Sequence, residues 1–247
     1  MPRFFIDAAG SAGDIFLDAD ETRHAVSVLR LKKGDPVDLF DGRGSRYAGI
    51  AGDVENGKLR VRVTGKSAQP FPSPVQITLG AAVFRPERME MLIQKACELG
   101  AHAVVPLLCD RSIVKLSEDR WEAKTERWEK IVRESCKQCG LSFAPEIHKP
   151  LPYKNFVKEI SRYDLALIPT LEGKTAPLAE ALPWPPPRRI LALVGPEGDF
   201  SPAEVKSALG AGAKPVSLGP LVLRSETAGM YLLSVIHFFY REISRKP

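Results

Sequence analysis

From residue 75 onward the chain alternates short apolar runs with amphipathic stretches, and that alternation leaves few folds open to it. The apolar runs cover residues 75–83, 103–108, 165–169, 190–194 and 215–218; the helical stretches cover 87–99, 118–139, 202–209 and 228–240. Strands separated by helices in a repeated order must cross back over the sheet. They therefore run parallel, with helices covering both faces. Two local signals bound the helices. Ser201-Pro202-Ala203-Glu204 is a capping box with proline at the first helical position, and Gly100 follows Leu99 where a helix should stop. Residues 75–247 are thus expected to form an α/β domain.

Residues 1–70 carry a different pattern. Short apolar stretches such as Val37-Asp38-Leu39-Phe40 and Leu59-Arg60-Val61-Arg62-Val63 are separated by Asp41-Gly42-Arg43-Gly44 and Glu55-Asn56-Gly57-Lys58. The latter two are hairpin-type turns, because Gly and Asn accept positive φ, so a compact β-barrel or sandwich is expected. The stretch Gln69-Pro70-Phe71-Pro72-Ser73-Pro74 removes amide donors and stiffens the chain, which places the boundary between the two domains there. The first domain is basic: between residues 30 and 66 stand Arg30, Lys32, Lys33, Arg43, Arg46, Lys58, Arg60, Arg62 and Lys66. With a net charge of +5 and a pI near 9.0, the chain has a modest bias toward polyanions such as nucleic acid.

Several classes are disfavoured. No run reaches the roughly 18 apolar residues of a membrane span, and the apolar stretch at Phe4-Phe5-Ile6 is too short for a secretory signal. No membrane association is expected, and the protein is expected in the cytoplasm with its four cysteines reduced. The spacing Cys136-x-x-Cys139 lies inside a predicted helix. A zinc site there would need Cys97, Cys109, His102 or His148 to converge, so no metal is expected. The Gly-x-Gly-x-x-Gly and Walker lysine motifs are missing, which argues against the usual dinucleotide and triphosphate sites.

The chemistry concentrates in two loops. Leu193-Val194 runs into Gly195-Pro196-Glu197-Gly198-Asp199 and then the capped helix, and residues 215–218 run into Gly219-Pro220-Leu221-Val222-Leu223-Arg224-Ser225-Glu226. In open α/β sheets ligands bind at the carboxyl ends of strands, where glycine lets backbone approach a ligand closely. Ser225 and Glu226 suit a helix start. Arg224 does not, because a cation opposes the helix dipole, which hints at another task.

Together, Gly195-Pro196-Glu197-Gly198, Leu218-Gly219 and Leu223-Arg224-Ser225-Glu226-Thr227-Ala228 resemble the RsmE family of small-subunit ribosomal RNA uracil-N3 methyltransferases, within the SPOUT superfamily. His24-Ala25-Val26-Ser27-Val28-Leu29-Arg30 with Gly34, Lys95-x-x-Glu98-Leu99-Gly100 and the helix from Arg127-Trp128 to Gln138 extend the resemblance over nearly the whole chain. The resemblance implies a PUA-like N-terminal β-barrel, a trefoil-knotted parallel sheet and a homodimer. It implies S-adenosylmethionine (SAM) held mainly by backbone groups of three loops, at Pro169, Thr170 and Leu171; at Gly195, Pro196, Glu197 and Gly198; and at Leu218, Gly219, Leu223 and Arg224. The implied partner is small-subunit ribosomal RNA or the assembled small subunit, with His24, Arg30, Lys32 and Lys33 as RNA contacts. Arg224 would activate the uracil electrostatically, with Glu226 the nearest side chain for proton removal and water the preferred acceptor. The apolar stripe Leu232, Leu233, Ile236 and Phe239 would serve either a dimer face or the core. Three departures from the family pattern stand out: Asp199 for a glycine, Ser225 for a threonine, and Leu141 for an arginine. A different RNA target, or RNA binding without catalysis, are the competing readings.

Overall fold

A computed structural model describes residues 1–7, 13–112, 117–171 and 173–241. The chain divides into two compact units, one formed by Met1–Phe71 with Arg133–Ala144 and the other by Pro72–Val132 with Pro145–Pro247.

The first unit holds β1 (Arg3–Phe5), β2 (Asp14–Phe16), α1 (Ala19–Arg23), a π-helical turn (His24–Val28), β3 (Pro36–Phe40), β4 (Ser45–Glu55) and β5 (Lys58–Ala68). They form a five-stranded sheet in the order β1-β3-β4-β5-β2, antiparallel except for the β1–β3 pair. Asn56 and Gly57, both at positive φ, make the tight turn between the two long strands. Phe4, Leu17, Val37, Leu39 and Val61 are fully buried and form its core. Residues Arg133–Ala144 dock through polar contacts: Arg3 donates to the Ser142 hydroxyl at 2.7 Å, and Lys137 lies 2.7 Å from Glu21. Leu141, at the position of a family arginine, is buried here.

The second unit contains β6 (Gln76–Ala82), α2 (Pro86–Glu98), β7 (Ala103–Leu108) and α3 (Glu118–Cys139), whose last turns from Arg133 are grouped with the first unit. It continues with β8 (Glu146–Ile147), β9 (Leu151–Pro152), α4 (Tyr153–Phe156), a 3-10 turn (Val157–Arg162) and β10 (Leu165–Pro169). The last elements are β11 (Ala176–Pro177), α5 (Leu178–Ala181), β12 (Arg189–Val194), α6 (Pro202–Gly210), β13 (Lys214–Ser217) and α7 (Ser225–Arg241). Every strand pairing is parallel, in the order β11-β13-β10-β12-β6-β7-β8, with β9 also beside β7. The central strands are buried along nearly their whole length, as expected when helices cover both faces. On one face α7 lies so close to α2 that a Cβ at Gly229 would come within 2.7 Å of Leu92. On the other, Tyr153 at the start of α4 donates to the Glu204 carbonyl of α6 at 3.0 Å. Among the described residues no helix is long and apolar enough to cross a membrane.

The capping box forms as expected, with Ser201 accepting from the Glu204 amide and Glu204 accepting from the Ser201 amide. The terminal helix resolves the choice between dimer face and core for its apolar stripe. Leu232, Leu233 and Ile236 are fully buried in the core, and Phe239 is half-buried. The small elements β8, β9, α4, β11 and α5 have no counterpart among the sequence-predicted segments, being too short for any periodicity to register.

His237 of α7 gives the fold a testable pH response. Burial is the main cause that lowers its imidazole from 6.5 to about 4; Arg241 also lowers it, while the Gly100 backbone opposes both. Between pH 6.5 and 4 the unfolded chain then binds more protons than the folded one. Stability from this residue is complete above pH 6.5 and is lost as the pH falls. Acidification to pH 4 should cost about 3 kcal/mol through His237. In urea unfolding followed at several pH values, His237→Gln should flatten this part of the profile, and an unchanged slope would exclude the assignment.

Candidate cofactor and methyl-transfer site

The carboxyl ends of β13, β10 and β12 lie side by side, and the loops that leave them wall a cavity of about 300 Å³. Pro169, Thr170 and Leu171 come from β10; Val194, Gly195, Pro196, Glu197 and Asp199 from β12; and Val216, Ser217, Leu218, Gly219, Leu221, Val222, Leu223 and Arg224 from β13. Arg88 of α2 and Ser225 and Ala228 of α7 complete the lining. The structure thus brings together ten of the eleven residues assigned to cofactor binding from the sequence. Gly198 is not in the lining; its carbonyl is instead engaged by Arg111 at 2.7 Å.

Backbone packing explains the residue types. A Cβ at Gly195 would lie 3.0 Å from the Phe200 amide nitrogen and 3.1 Å from the Asp199 carboxylate, so the turn after β12 closes this tightly only with glycine. Asp199 adopts a left-handed backbone, φ 59°, which an aspartate tolerates when its side chain bonds locally. Its carboxylate accepts from the Phe200 amide at 2.8 Å and from the Leu171 amide at 3.4 Å. The departure from glycine therefore supplies a link between the β12 and β10 loops.

Four charged side chains face the cavity, Arg88 and Arg224 against Glu197 and Asp199. Arg88 stands 3.7 Å from Glu197 and 3.8 Å from Glu226. Glu226 is buried in the first turn of α7 and does not line the cavity. Ser225 is the first helical residue rather than the cap: the Ala228 amide donates to the Arg224 carbonyl at 2.8 Å. Arg224 is exposed and enters no ion pair within 4.0 Å among the described residues. Arg88 was missed in the sequence because it sits in an ordinary amphipathic helix, remote from both glycine-rich loops.

The four RNA candidates lie on the first unit. His24 opens the π-helical turn, half-buried with its ring edge-on to Phe4 at 6.3 Å. Arg30 is exposed at φ 54°, beside the exposed Val28 and Leu29. Lys32 and Lys33 are exposed as well, and Lys33 pairs with Asp53 at 2.6 Å. Cys136 is buried and Cys139 exposed, and among the described residues no group of three metal-ligating side chains converges.

Comparison with known proteins assigns the class. Residues 71–237 match the family described as RNA methyltransferase domain, and residues 17–63 match the RNA methyltransferase PUA domain. The fold and site are therefore those of an RNA methyltransferase with a PUA domain. Among curated relatives, ribosomal RNA small subunit methyltransferase E of Aquifex aeolicus is 34% identical over 91% of this chain and 94% of its own. That of Bacillus subtilis is 27% identical over 96% of each. A putative methyltransferase of Legionella pneumophila, solved with the bound cofactor SAM, superposes with a TM-score of 0.88 at 32% identity, over 95% of this chain and 96% of that one. Ribosomal RNA small subunit methyltransferase E of Neisseria gonorrhoeae, bound to S-adenosyl methionine, gives 0.87 at 27%, over 97% and 98%. The chain belongs to the ribosomal RNA small subunit methyltransferase E family.

Proposed function

We propose that this chain methylates N3 of one uridine in small-subunit ribosomal RNA, using SAM, with the assembled small subunit or its RNA as substrate. The observation that carries the reading is the cavity walled by three parallel-strand loops, with Arg224 in its lining and in no ion pair within 4.0 Å among the described residues.

The residues present suit SAM. Apolar side chains of Leu171, Val194, Leu218 and Leu223 can cover an adenine while loop backbone groups meet its polar edge, and the cavity offers both signs of charge to a cosubstrate that carries both. Pro169, Thr170, Gly195, Pro196, Glu197 and Gly219 would complete the binding set, with Gly198 shaping the loop from outside the lining. Bound SAM supplies an electrophilic methyl group on a positively charged sulfur. The protein must then present a uracil whose N3 has lost its proton. Arg224, permanently charged, can donate to a uracil carbonyl and stabilise the anion that forms. Glu226 stays committed to Arg88 in this reading, so water takes the proton. The target base must leave its stack to reach the cavity, which calls for phosphate contacts around it.

The reaction is tested by methyl transfer from labelled SAM to small subunits lacking the modification, beside naked ribosomal RNA, followed by nucleoside analysis. Labelled 3-methyluridine at one site is expected; transfer to another atom would overturn the uracil-N3 assignment. Arg224→Ala should lower kcat about 100-fold, the order seen on removing one oxyanion donor, while SAM still binds. Intact turnover would exclude the proposed role.

Phosphate contact is assigned to Arg30 and Lys32, which are exposed and free of ion pairs among the described residues, with Lys33 and His24 secondary because each already has a partner. Replacing Arg30 and Lys32 together by glutamine should reduce the slope of log affinity against log salt by roughly two. An unchanged slope would move the RNA face elsewhere.

Two copies would meet on α7, but not through its buried stripe. Thr227, Tyr231, Ser234 and Phe238 lie on its exposed side at spacings of four and three, with Tyr231 41% and Phe238 59% exposed. Sedimentation should give twice the chain mass, and Phe238→Asp should give monomers; a monomeric parent protein would refute the pairing. The reading places the protein in the cytoplasm with the subunits it modifies.

A further inference from the structure

Arg111 lies outside both glycine-rich loops, yet it holds one of them. It follows β7, and its guanidinium donates to the Gly198 carbonyl at 2.7 Å and reaches the Phe200 carbonyl at 3.4 Å. Its neighbour Asp110 grips the same segment: the Asp110 amide donates to the Glu204 carboxylate at 2.9 Å, and the Ser201 hydroxyl donates to the Asp110 carboxylate at 2.7 Å. Glu204 in turn accepts from the Ser201 amide at 2.8 Å. Two successive residues after β7 thus fasten the loop that follows β12, and the two strands are not neighbours, because β6 lies between them.

The two halves of this clasp differ in kind. Asp110 binds the capping box and so supports α6. Arg111 binds backbone carbonyls within the turn itself, on the residues just beyond Glu197. A guanidinium bridging two carbonyls fixes the orientation of their peptide planes, Gly198–Asp199 and Phe200–Ser201, and with them the path of the turn that follows Glu197. Because Arg111 is exposed, its contribution to global stability is small. Its effect is local, on the shape of one cavity wall.

We propose that Arg111 is a positioning residue that holds the Gly195–Phe200 loop in its SAM-binding shape; this rests on the reading of the cavity as the SAM site. The loop is preorganised by Arg111, and SAM binding does not have to supply that ordering itself.

The test uses the full chain as Arg111→Met and Arg111→Lys. Hydrogen exchange of the ligand-free protein should show faster exchange of the amides of residues 195–201 in Arg111→Met, with the sheet unchanged. Calorimetric titration should give a SAM dissociation constant raised about tenfold, the order of one charge-assisted hydrogen bond. In methyl transfer, KM for SAM should rise while kcat at saturating SAM stays within about twofold, with Arg111→Lys intermediate because an ammonium can reach one carbonyl. Unchanged exchange and affinity would overturn the proposal. So would a general loss of thermal stability shared by both variants, which marks a merely structural arginine. If the parent protein binds no SAM while Arg111→Met still loosens the loop, the cavity assignment fails and the clasp alone survives.

Discussion

The site depends on three neighbouring parallel strands ending along one edge of the sheet. β10 lies between β13 and β12, and because both pairings are parallel the loops after all three leave from the same side. One antiparallel strand among them would send its loop to the opposite edge and leave the cavity with two walls. The arrangement is held by burial rather than by charge. Ile190, Leu191, Ala192 and Leu193 of β12 are fully buried, and each large aliphatic side chain of that kind contributes about 1.5–3 kcal/mol. A buried central strand thus leads directly into the tight turn at Gly195.

The charges around the cavity divide according to helix electrostatics. Glu226 occupies the first turn of α7, where the helix dipole favours a carboxylate, and Arg88 stands close enough to compensate its burial. Arg224, one residue before the helix, gains nothing from that dipole and enters no ion pair within 4.0 Å among the described residues. An exposed cation costs little in water, and in the proposed reaction it is this charge that would meet the uracil. Asp199 and Arg111 act on geometry instead, by tying loop backbone to loop backbone and to the strand end after β7.

The first unit follows another logic. Its long hairpin and buried aliphatic residues make a platform, and the π-helical turn with Arg30 in a left-handed conformation raises a basic, partly apolar surface from it. In the proposed reading a surface of that composition would meet a phosphate backbone rather than base edges.

Much of this was legible in the residues. The alternation of apolar runs and helical stretches specified a parallel sheet, because periodicity is a local property that burial on two faces imposes directly. The two glycine-rich loops were legible for the same reason, since close backbone approach leaves a mark on residue type. Spatial order was not legible: nothing in residues 165–218 says that β12 inserts between β6 and β10. Nor does anything local place Arg88 at the cavity, Arg111 on the Gly198 carbonyl, or residues 133–144 against Glu21 and Arg3. Likewise, the apolar stripe of α7 could equally have been an interface until Leu232, Leu233 and Ile236 were found buried. The sequence by itself determined the elements, the class and the loops that carry chemistry. Only the tertiary structure decided which side chains meet, because contacts between residues far apart in the chain arise from packing the whole sheet.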